Sequence, residues 1–600
     1  MCGIAAVLRG DPDPAPPSGW DICLSRLARR GPDGEGTWRS RDGLATLGHR
    51  RLAVVDLSDA GRQPMANEDG TIVVTFNGEI YNADELRSEL ARRGHVFASR
   101  ADTEVLVHGY EQWGERGLLS RIEGMYAFVI WDGRARRAVA AVDHAGMKPL
   151  AWAYEDGALK LASDCDALRP LLRPRKLDAI GLCHVLSLGY CPAPRTVWEG
   201  VQKLPPGHGL VWTPGTAPTT FRHWSPPETL GPDDEFGDVW SRVVAEHLIA
   251  DVPVGLLLSG GLDSSAVALG LRGREVRCTT ISLPGSADES GLASSTARML
   301  GLEHTSVALK AGDVPRLLDM AAAAFDEPQA FGALLTMTRV AHAARATGKV
   351  VLSGDGGDEA FAGYTWHRGG PAPEPSPANA EAERLTAEPD APPYVREAAL
   401  RALASRSYVH AHLQRVLPRF HPHEARSLLS PLGPAYDADT YASWLVDEDR
   451  PDLPSPRREQ RLDLRGFCAG SILPKVDRAA MSVGLEIRTP FLDRRVLAWA
   501  LRRPIEAAER DAATSKPVIR RILQGRVPTE VLTKEKQGFS LRLGRDDVFT
   551  SMQDWLAGTR LVRDGVLCDR WRSFVAPGTP SREARMFALC MMAAWAQDRL

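Results

Sequence analysis

The 600-residue chain has no apolar stretch that approaches a membrane span, and its first residues carry no basic segment followed by a hydrophobic run. A cytoplasmic protein with no membrane association is therefore expected. An excess of one charge sign is missing too. With 73 basic and 76 acidic residues the formal net charge is -3, which gives no reason to expect nucleic acid or an anionic surface as partner. The run Arg134-Ala135-Arg136-Arg137 is short and reads as a solvated face. Cysteine is sparse: nine residues, at positions 2, 23, 165, 183, 191, 278, 468, 568 and 590, with no CxxC pair. That pattern supports neither a cysteine zinc site nor a disulfide framework. The cysteines beyond Cys2 read as buried thiols in a reducing compartment. No internal repeat is present. The length is enough for two or three domains with sizeable cores.

What the chain does have begins at Val252-Pro253-Val254-Gly255-Leu256-Leu257-Leu258, an apolar run followed by Ser259-Gly260-Gly261-Leu262-Asp263-Ser264-Ser265. A short apolar run bounded by glycine and serine reads as a buried parallel strand feeding a tight turn and a helix. Two glycines let the backbone approach an anion, the serines add hydroxyl donors, and the helix offers its first amides. Asp263 suits a magnesium ion held beside that anion. The loop lacks the terminal Gly-Lys-Ser/Thr of a Walker A motif. A bare Gly-Gly pair would be read as an ordinary turn; the joint presence of glycines, hydroxyls and a carboxylate favours anion binding. The run resembles the SGGxDS pyrophosphate loop of the ATP pyrophosphatases. That resemblance implies ATP contacts from Leu258, Ser259, Gly260, Gly261, Asp263 and Ser264.

The N-terminus is the second signal. Removal of Met1 from Met1-Cys2-Gly3-Ile4 would give Cys2 both a thiol and a free α-amine. An α-amine titrates near ~8, so one residue can hold nucleophile and base. Four blocks follow in order: Arg30-Gly31-Pro32-Asp33, Gly48-His49-Arg50-Arg51-Leu52, Phe76-Asn77-Gly78-Glu79-Ile80-Tyr81-Asn82 and Asp102-Thr103-Glu104. Any one of these charged residues alone would be read as a surface ion pair. Together they resemble the glutaminase domain of the class II, N-terminal-cysteine glutamine amidotransferases. The resemblance implies that Cys2 attacks the glutamine amide and that Asn77 and Gly78 form the oxyanion hole. Arg51, Glu79 and Asp102 would then hold the glutamine α-carboxylate and α-ammonium.

Further on, the apolar Val350-Val351-Leu352 precedes Ser353-Gly354-Asp355-Gly356-Gly357-Asp358-Glu359, and Phe361-Ala362-Gly363-Tyr364 follows. Ligands bind at the C-terminal ends of parallel strands, so two acidic glycine-rich turns can converge on one Mg-ATP. Leu473 to Arg478, Met481 to Asp493, Lys516 to Arg520 and Lys534 to Phe539 complete the set. The chain resembles the glutamine-hydrolysing asparagine synthetases of bacterial type from near residue 2 to about residue 545. By that resemblance Asp263 and Asp358 are magnesium ligands, Ser353, Gly354 and Ile281 line the nucleotide pocket, and Asp355 and Lys536 are catalytic. Asp477, Arg478, Glu486 and Arg488 are equally compatible with a buried ion-pair network and with substrate contact.

The expected organisation is α/β and α+β. Residues 1–210 form a glutaminase domain, an αββα sandwich of the Ntn-hydrolase type. Residues 211–234 are a Pro-rich linker, and 235–600 a parallel-sheet ATP-pyrophosphatase domain with a largely helical end. Within the latter, 369–393 is a Pro/Ala/Glu-rich flexible loop. The resemblance implies ATP and Mg2+, glutamine and a carboxylic acid as small-molecule partners, a homodimer and an internal ammonia tunnel. Aspartate is the expected acceptor, although no residue set reads as an aspartate clamp; another carboxylic acid is the alternative. Synthetases that form β-lactams or cyclise peptides use an internal amine and would leave the glutaminase site superfluous. A non-catalytic binding relative would have lost Cys2, Asp263 or Lys536, and all three are present. Five positions depart from the family pattern: His144 for Arg, Asp164 and Asp166 in Ser163-Asp164-Cys165-Asp166 for Ser-Glu-x-Lys, and Ala101 and Ala480 for Ser.

Overall fold

The computed structural model describes residues 2–227, 235–282, 288–308, 314–368, 393–416, 419–429, 436–503, 514–534, 546–577, 579 and 581–600. Its first part supplies twelve strands: β1 (Gly3–Arg9), β2 (Gly34–Arg39), β3 (Ala45–Arg51), β4 (Met65–Ala66), β5 (Ile72–Ile80), β6 (Gly124–Asp132), β7 (Arg137–Val142), β8 (Ala151–Glu155), β9 (Ala158–Ala162), β10 (Gln202–Lys203), β11 (His208–Trp212) and β12 (Thr219–Arg222). They form two six-stranded antiparallel sheets, ordered β10-β8-β9-β1-β3-β2 and β12-β11-β7-β6-β5-β4. The period-2 alternation of strand side chains explains the layering. Ile4, Ala6 and Leu8 of β1 meet Val73, Val129 and Ala140 of the second sheet in the inter-sheet core. Ala5 and Val7 face the other way, onto Trp20, Leu24 and Leu27 of the helix Trp20–Leu27. Val74, Phe76, Phe128 and Ile130 face a third layer, the helices Ala83–Arg92 and Thr103–Arg121. The expected αββα sandwich is the result. Strand β12 pairs with β11, so the second sheet runs to Arg222 inside the stretch expected to be linker from 211. Its alternating Thr-Thr-Phe-Arg is a short edge strand that the surrounding prolines concealed.

The second part is built on a five-stranded parallel sheet: β13 (Val254–Leu257), β14 (Arg277–Ser282), β15 (Glu303–Ala308), β16 (Val350–Leu352) and β17 (Glu486–Arg488), in the order β15-β14-β13-β16-β17. Helices cover both faces. Leu256 and Leu352 pack with Val243 and Val267 on one side, while Val351 and Ile487 pack with Ala341, Val476 and Ala480 on the other. Two-sided burial is why these strands read as unbroken apolar runs. The chain leaves β13 toward β14 and β15, then returns to β16 on the opposite flank. The order therefore reverses between β13 and β16, which opens a crevice at their C-terminal ends. Helices dominate from Pro393 onward. The rest of the 369–393 segment lies outside the described residues, and Pro393 itself opens the helix Pro393–Ala404. The two parts share a core: Tyr81, Met125, Ala145 and Met147 pack with Leu473, Met481, Phe491 and Leu492. No helix among the described residues is long and apolar enough to cross a membrane. The cysteines they contain are unpaired and buried, except Cys568, which is half-buried.

Candidate active sites

Strand β5 carries Asn77, Gly78 and Glu79 in succession, so Asn77 and Glu79 share a face. The backbone nitrogen of Cys2, at the start of β1, donates to Asn77 Oδ1 at 2.7 Å. Asn77 Nδ2 is left as a buried donor with no protein acceptor. A Cβ at position 78 would lie 2.0 Å from Met125 O of β6, so only glycine fits there. Asp102 accepts the Ile80 amide at 2.8 Å through Oδ2. Arg51, closing β3, donates to Ser58 O at 2.9 Å and to Asp56 O. Cys2, Arg51, Gly78, Glu79 and Asp102 line one cleft of about 390 Å³, with Asn77 buried beside Cys2. The same cleft is lined by Gln63, Thr103 and Glu486, which the motifs did not single out as glutamine contacts. Ala101, one of the departures, also lines it, whereas Ala480 is core.

Burial sets the electrostatics of this cleft. It pushes the Cys2 thiol above the ordinary cysteine value, against the pull of nearby positive charge and of the Leu52 amide. The thiol therefore needs a base to become a nucleophile. Burial raises Asp102 to about 6, although the Ile80 amide works the other way. Glu79 is raised by burial and by neighbouring Asp102, with Arg488 opposing. Two desolvated carboxylates side by side form a site that gains from an incoming ammonium.

In the parallel sheet, the turns after β13 and β16 meet at the crevice. Ser259 Oγ and Ser264 Oγ lie 2.9 Å apart, and Ser264 Oγ also donates to Ser259 O at 3.0 Å, which closes the loop on itself. Gly260 and Gly261 carry the chain between them, and Leu258 is anchored to Thr279 O at 3.0 Å. The second turn fits only because it is glycine-rich. A Cβ on Gly354 would lie 2.6 Å from Ser264 N, and one on Gly357 would lie 2.5 Å from Asp263 Cγ. Asp263 and Asp358 are thereby brought to a common cation position, which Lys516 Nζ fills at 2.6 Å from each. Burial pulls Lys516 below the ordinary lysine value, and Asp263 opposes that. Lys516 has φ +57°, a left-handed backbone that costs a non-glycine residue about 1–2 kcal/mol. A pair of carboxylates already closed around an ammonium has the donor set and charge that a hard divalent ion such as Mg2+ requires. Asp355 is held by Ser353 Oγ at 2.9 Å and by Lys475 Nζ at 3.1 Å. Ile281 is buried on β14, packed with Leu317 and Phe325 one strand away from the loop. Lys536 lies outside the described residues.

The four residues left open between network and substrate form an inter-domain ion-pair system. Arg30 donates to Cys2 O at 3.2 Å and grips Asp477 with two bonds of 2.9 and 3.1 Å. Arg478 pairs with Asp326 at 3.0 Å and with Asp477 at 3.4 Å. Arg488 pairs with Glu486 at 2.6 Å and with Glu79 at 3.0 Å. Three departures also serve the tertiary structure. His144 Nε2 lies 2.6 Å from Leu492 O across the domain boundary. Asp164 caps the short helix Cys165–Leu168. Asp166 receives Arg599 of the C-terminus at 2.9 and 3.0 Å.

A sandwich carrying a second-residue cysteine beside a carboxylate-lined cleft, joined to a parallel sheet with two glycine-rich turns at its crevice, defines a glutamine-dependent amidotransferase. A model of the glutamine amidotransferase domain matches residues 1–224, and one of asparagine synthase matches residues 235–594. The chain belongs to the asparagine synthase family. A Mycobacterium tuberculosis protein named "Putative asparagine synthetase (glutamine-hydrolyzing)" is 34% identical over 584 residues, covering 90% of this chain and 87% of its own. "Asparagine synthetase (glutamine-hydrolyzing) 1" of Bacillus subtilis is 30% identical over 549 residues, covering 88% and 84%. "Amidase chry2" of Gibberella zeae is 31% identical over 424 residues, covering 62% and 61%.

Proposed function

We propose that the protein converts aspartate to asparagine with ATP and glutamine, through an acyl-adenylate, releasing AMP, pyrophosphate and glutamate. The observation that carries this reading is the convergence of Asp263 and Asp358 on one cation position, in the molecule whose other cleft gathers Cys2, Arg51, Glu79 and Asp102.

In the glutamine cleft the α-amine of Cys2, freed by loss of Met1, takes the thiol proton, and the sulfur attacks the side-chain amide carbon. Asn77 Nδ2 and the Gly78 amide receive the oxyanion. The proton returns to the departing nitrogen as ammonia leaves, and water then releases glutamate from the thioester. Arg51 holds the glutamine α-carboxylate; Glu79 and Asp102 hold its α-ammonium. At the sheet, the loop 259–264 and the Ser353-Gly354 turn hold ATP while an acceptor carboxylate oxygen attacks the α-phosphorus and pyrophosphate leaves. Magnesium at Asp263 and Asp358 would supply charge neutralisation for the phosphates. Displaced from the two carboxylates by that ion, the Lys516 ammonium would serve the same phosphate oxygens, the work expected of Lys536. Ammonia then attacks the acyl carbon, AMP departs, and Asp355 takes the surplus proton. The protein acts in the cytoplasm as a homodimer, without nucleic acid or membrane.

The test is pyrophosphate release from ATP and glutamine, with and without aspartate, read together with mass detection of asparagine and AMP. Aspartate-dependent release with asparagine formed supports the reading. Glutaminase activity without such release moves the acceptor to another carboxylic acid, the second reading, for which a matched relative bearing an amidase name gives a reason.

A further inference from the structure

Two histidines outside the glutamine cleft stand in an arrangement that neither glutamine hydrolysis nor ATP use requires. His95 follows the helix Ala83–Arg92, and His108 lies on the helix Thr103–Arg121, where it is 1% exposed. Their Nδ1 atoms face each other at 3.3 Å. The opposite nitrogens are turned toward side-chain oxygens. His108 Nε2 lies 3.7 Å from Glu104 Oε1, and His95 Nε2 lies 3.2 Å from Gln112 Oε1. Glu104 is a fixed acceptor: it takes the Ala98 and Ser99 amides at 2.7 and 2.8 Å and the Ser99 hydroxyl at 2.6 Å. With the proton of each ring on Nε2, toward Glu104 and Gln112, both Nδ1 atoms present lone pairs to the space between them, the arrangement that receives a cation; in the alternative tautomers one Nδ1 donates to the other.

The spacing is that of two nitrogens on one tetrahedral ion. Bonds of ~2.0–2.1 Å at the tetrahedral angle place the ligand atoms roughly 3.3 Å apart. A carboxylate-backed histidine is the usual support of such a ligand. Glu111, one turn along the helix from His108, offers a carboxylate oxygen within 4.8 Å of a ring nitrogen of each histidine. Its Oε1 already accepts Arg134 at 2.9 Å and Asn67 at 3.5 Å, so Oε2 is the oxygen available to an ion. Glu68 Oε2, on an exposed side chain, lies 4.0 Å from His108 Nδ1. From these observations we infer that His95 Nδ1, His108 Nδ1 and Glu111 bind a divalent transition-metal ion, zinc above all, with the fourth position open to water or Glu68. Two imidazoles and a carboxylate suit zinc and exclude calcium or magnesium as the preferred ion. The ion would tie the segment leading to Asp102 to the helix that follows it. The site requires no cysteine and is separate from the glutamine cleft, whose lining contains none of these residues.

The test uses the full-length protein stripped with chelator and titrated with Zn2+ by calorimetry, with Co2+ ligand-field absorption as a second readout. One equivalent bound with thermal stabilisation is expected. In His95→Gln, a half-buried position, that equivalent should weaken at least tenfold and the stabilisation should vanish; Glu111→Gln should also weaken it. His95→Gln retains all nine cysteines, so the difference excludes thiol binding. Zinc uptake equal in wild type and His95→Gln, or none in either, would overturn the inference. The pair would then be a plain hydrogen bond, with His95 donating from Nδ1 and the Gln112 amide turned to donate to its Nε2.

Discussion

Arg488 joins the two halves of the enzyme through a single residue. Its guanidinium reaches Glu79 of the glutamine cleft at 3.0 Å, while its backbone carbonyl accepts the amide of Ser353, the first residue of the second nucleotide turn, at 2.9 Å. The side chain is completely buried, and it also holds Glu486 and the carbonyls of His247 and Ile249. Removing it would leave buried Glu79 without its cation and loosen the hold on Glu486, at a cost of about 3–5 kcal/mol. Arg488→Met is therefore expected to lower the melting temperature of the whole chain. Arg488→Lys keeps the charge but loses the fork of donors. We expect it to fold, to raise KM for glutamine severalfold, and to keep ammonia-dependent synthesis near the wild-type rate. Steady-state kinetics with glutamine and with ammonium chloride as alternative nitrogen donors check this.

The donor left free on Asn77 makes a sharper prediction. Asn77→Ala deletes Nδ2 and also the Oδ1 that anchors the Cys2 nitrogen at 2.7 Å. Loss of one oxyanion donor costs roughly 10²–10³ in kcat. Glutaminase kcat should fall by at least that much, with KM for glutamine changed little. Cys2→Ala should abolish glutamine use altogether. In both variants synthesis from added ammonia should persist, and its disappearance would contradict a two-site enzyme.

Asp102 gives the pH dependence. Burial raises its folded value to about 6, so it is protonated below that and charged above it. Glutamine presents an ammonium, which the charged form binds. KM for glutamine should therefore rise as pH falls through about 6, by up to tenfold per unit, while kcat moves less. The same raised value means that ionisation opposes folding: the penalty appears as pH rises from ~3.9 through about 6 and is fully present above it. Asp102→Asn removes it and can still accept the Ile80 amide. The variant should be more stable at pH 8, by up to about 3 kcal/mol, with KM for glutamine high at every pH. Thermal melts and KM profiles over pH 5–8 test both halves.

The residues proposed to contact glutamine are legible in the sequence because they sit in short contiguous blocks: Asn77 to Glu79 occupy one strand, and Asp102 is the residue before a helix. The same holds for the loop 259–264. Residues that act across the fold were not legible as contacts. Glu486 reaches the glutamine cleft from β17, more than 400 positions from Cys2, through sheet order and domain packing rather than spacing. Strand β12 reads as linker in the sequence because proline and threonine dominate its surroundings. The paired reading of Arg488 as network or ligand could not be decided locally either; its burial and four acceptors settle it as a network residue.

Lys516 opens one of the blocks legible in the sequence, but what its ammonium touches is displayed only by the fold. It lies about 250 positions from Asp263, yet its ammonium closes the gap between Asp263 and Asp358 at 2.6 Å to each. Lys516→Ala leaves those carboxylates facing each other across the crevice without a cation. At millimolar magnesium the ion can replace the missing charge, so the fold should survive; in excess chelator the melting temperature of the variant should drop further than that of wild type. Activity should not recover, because the ammonium is the second positive group available to phosphate oxygens in the adenylation step. We expect pyrophosphate release to fall by at least 10², and glutaminase activity in the other cleft to remain. Lys516→Arg should restore the melting temperature and only a minor part of the rate, since a planar guanidinium cannot occupy the point between two carboxylates that a compact ammonium does. Pyrophosphate release at the wild-type rate in Lys516→Ala would place the residue outside the chemistry and leave it a structural clamp.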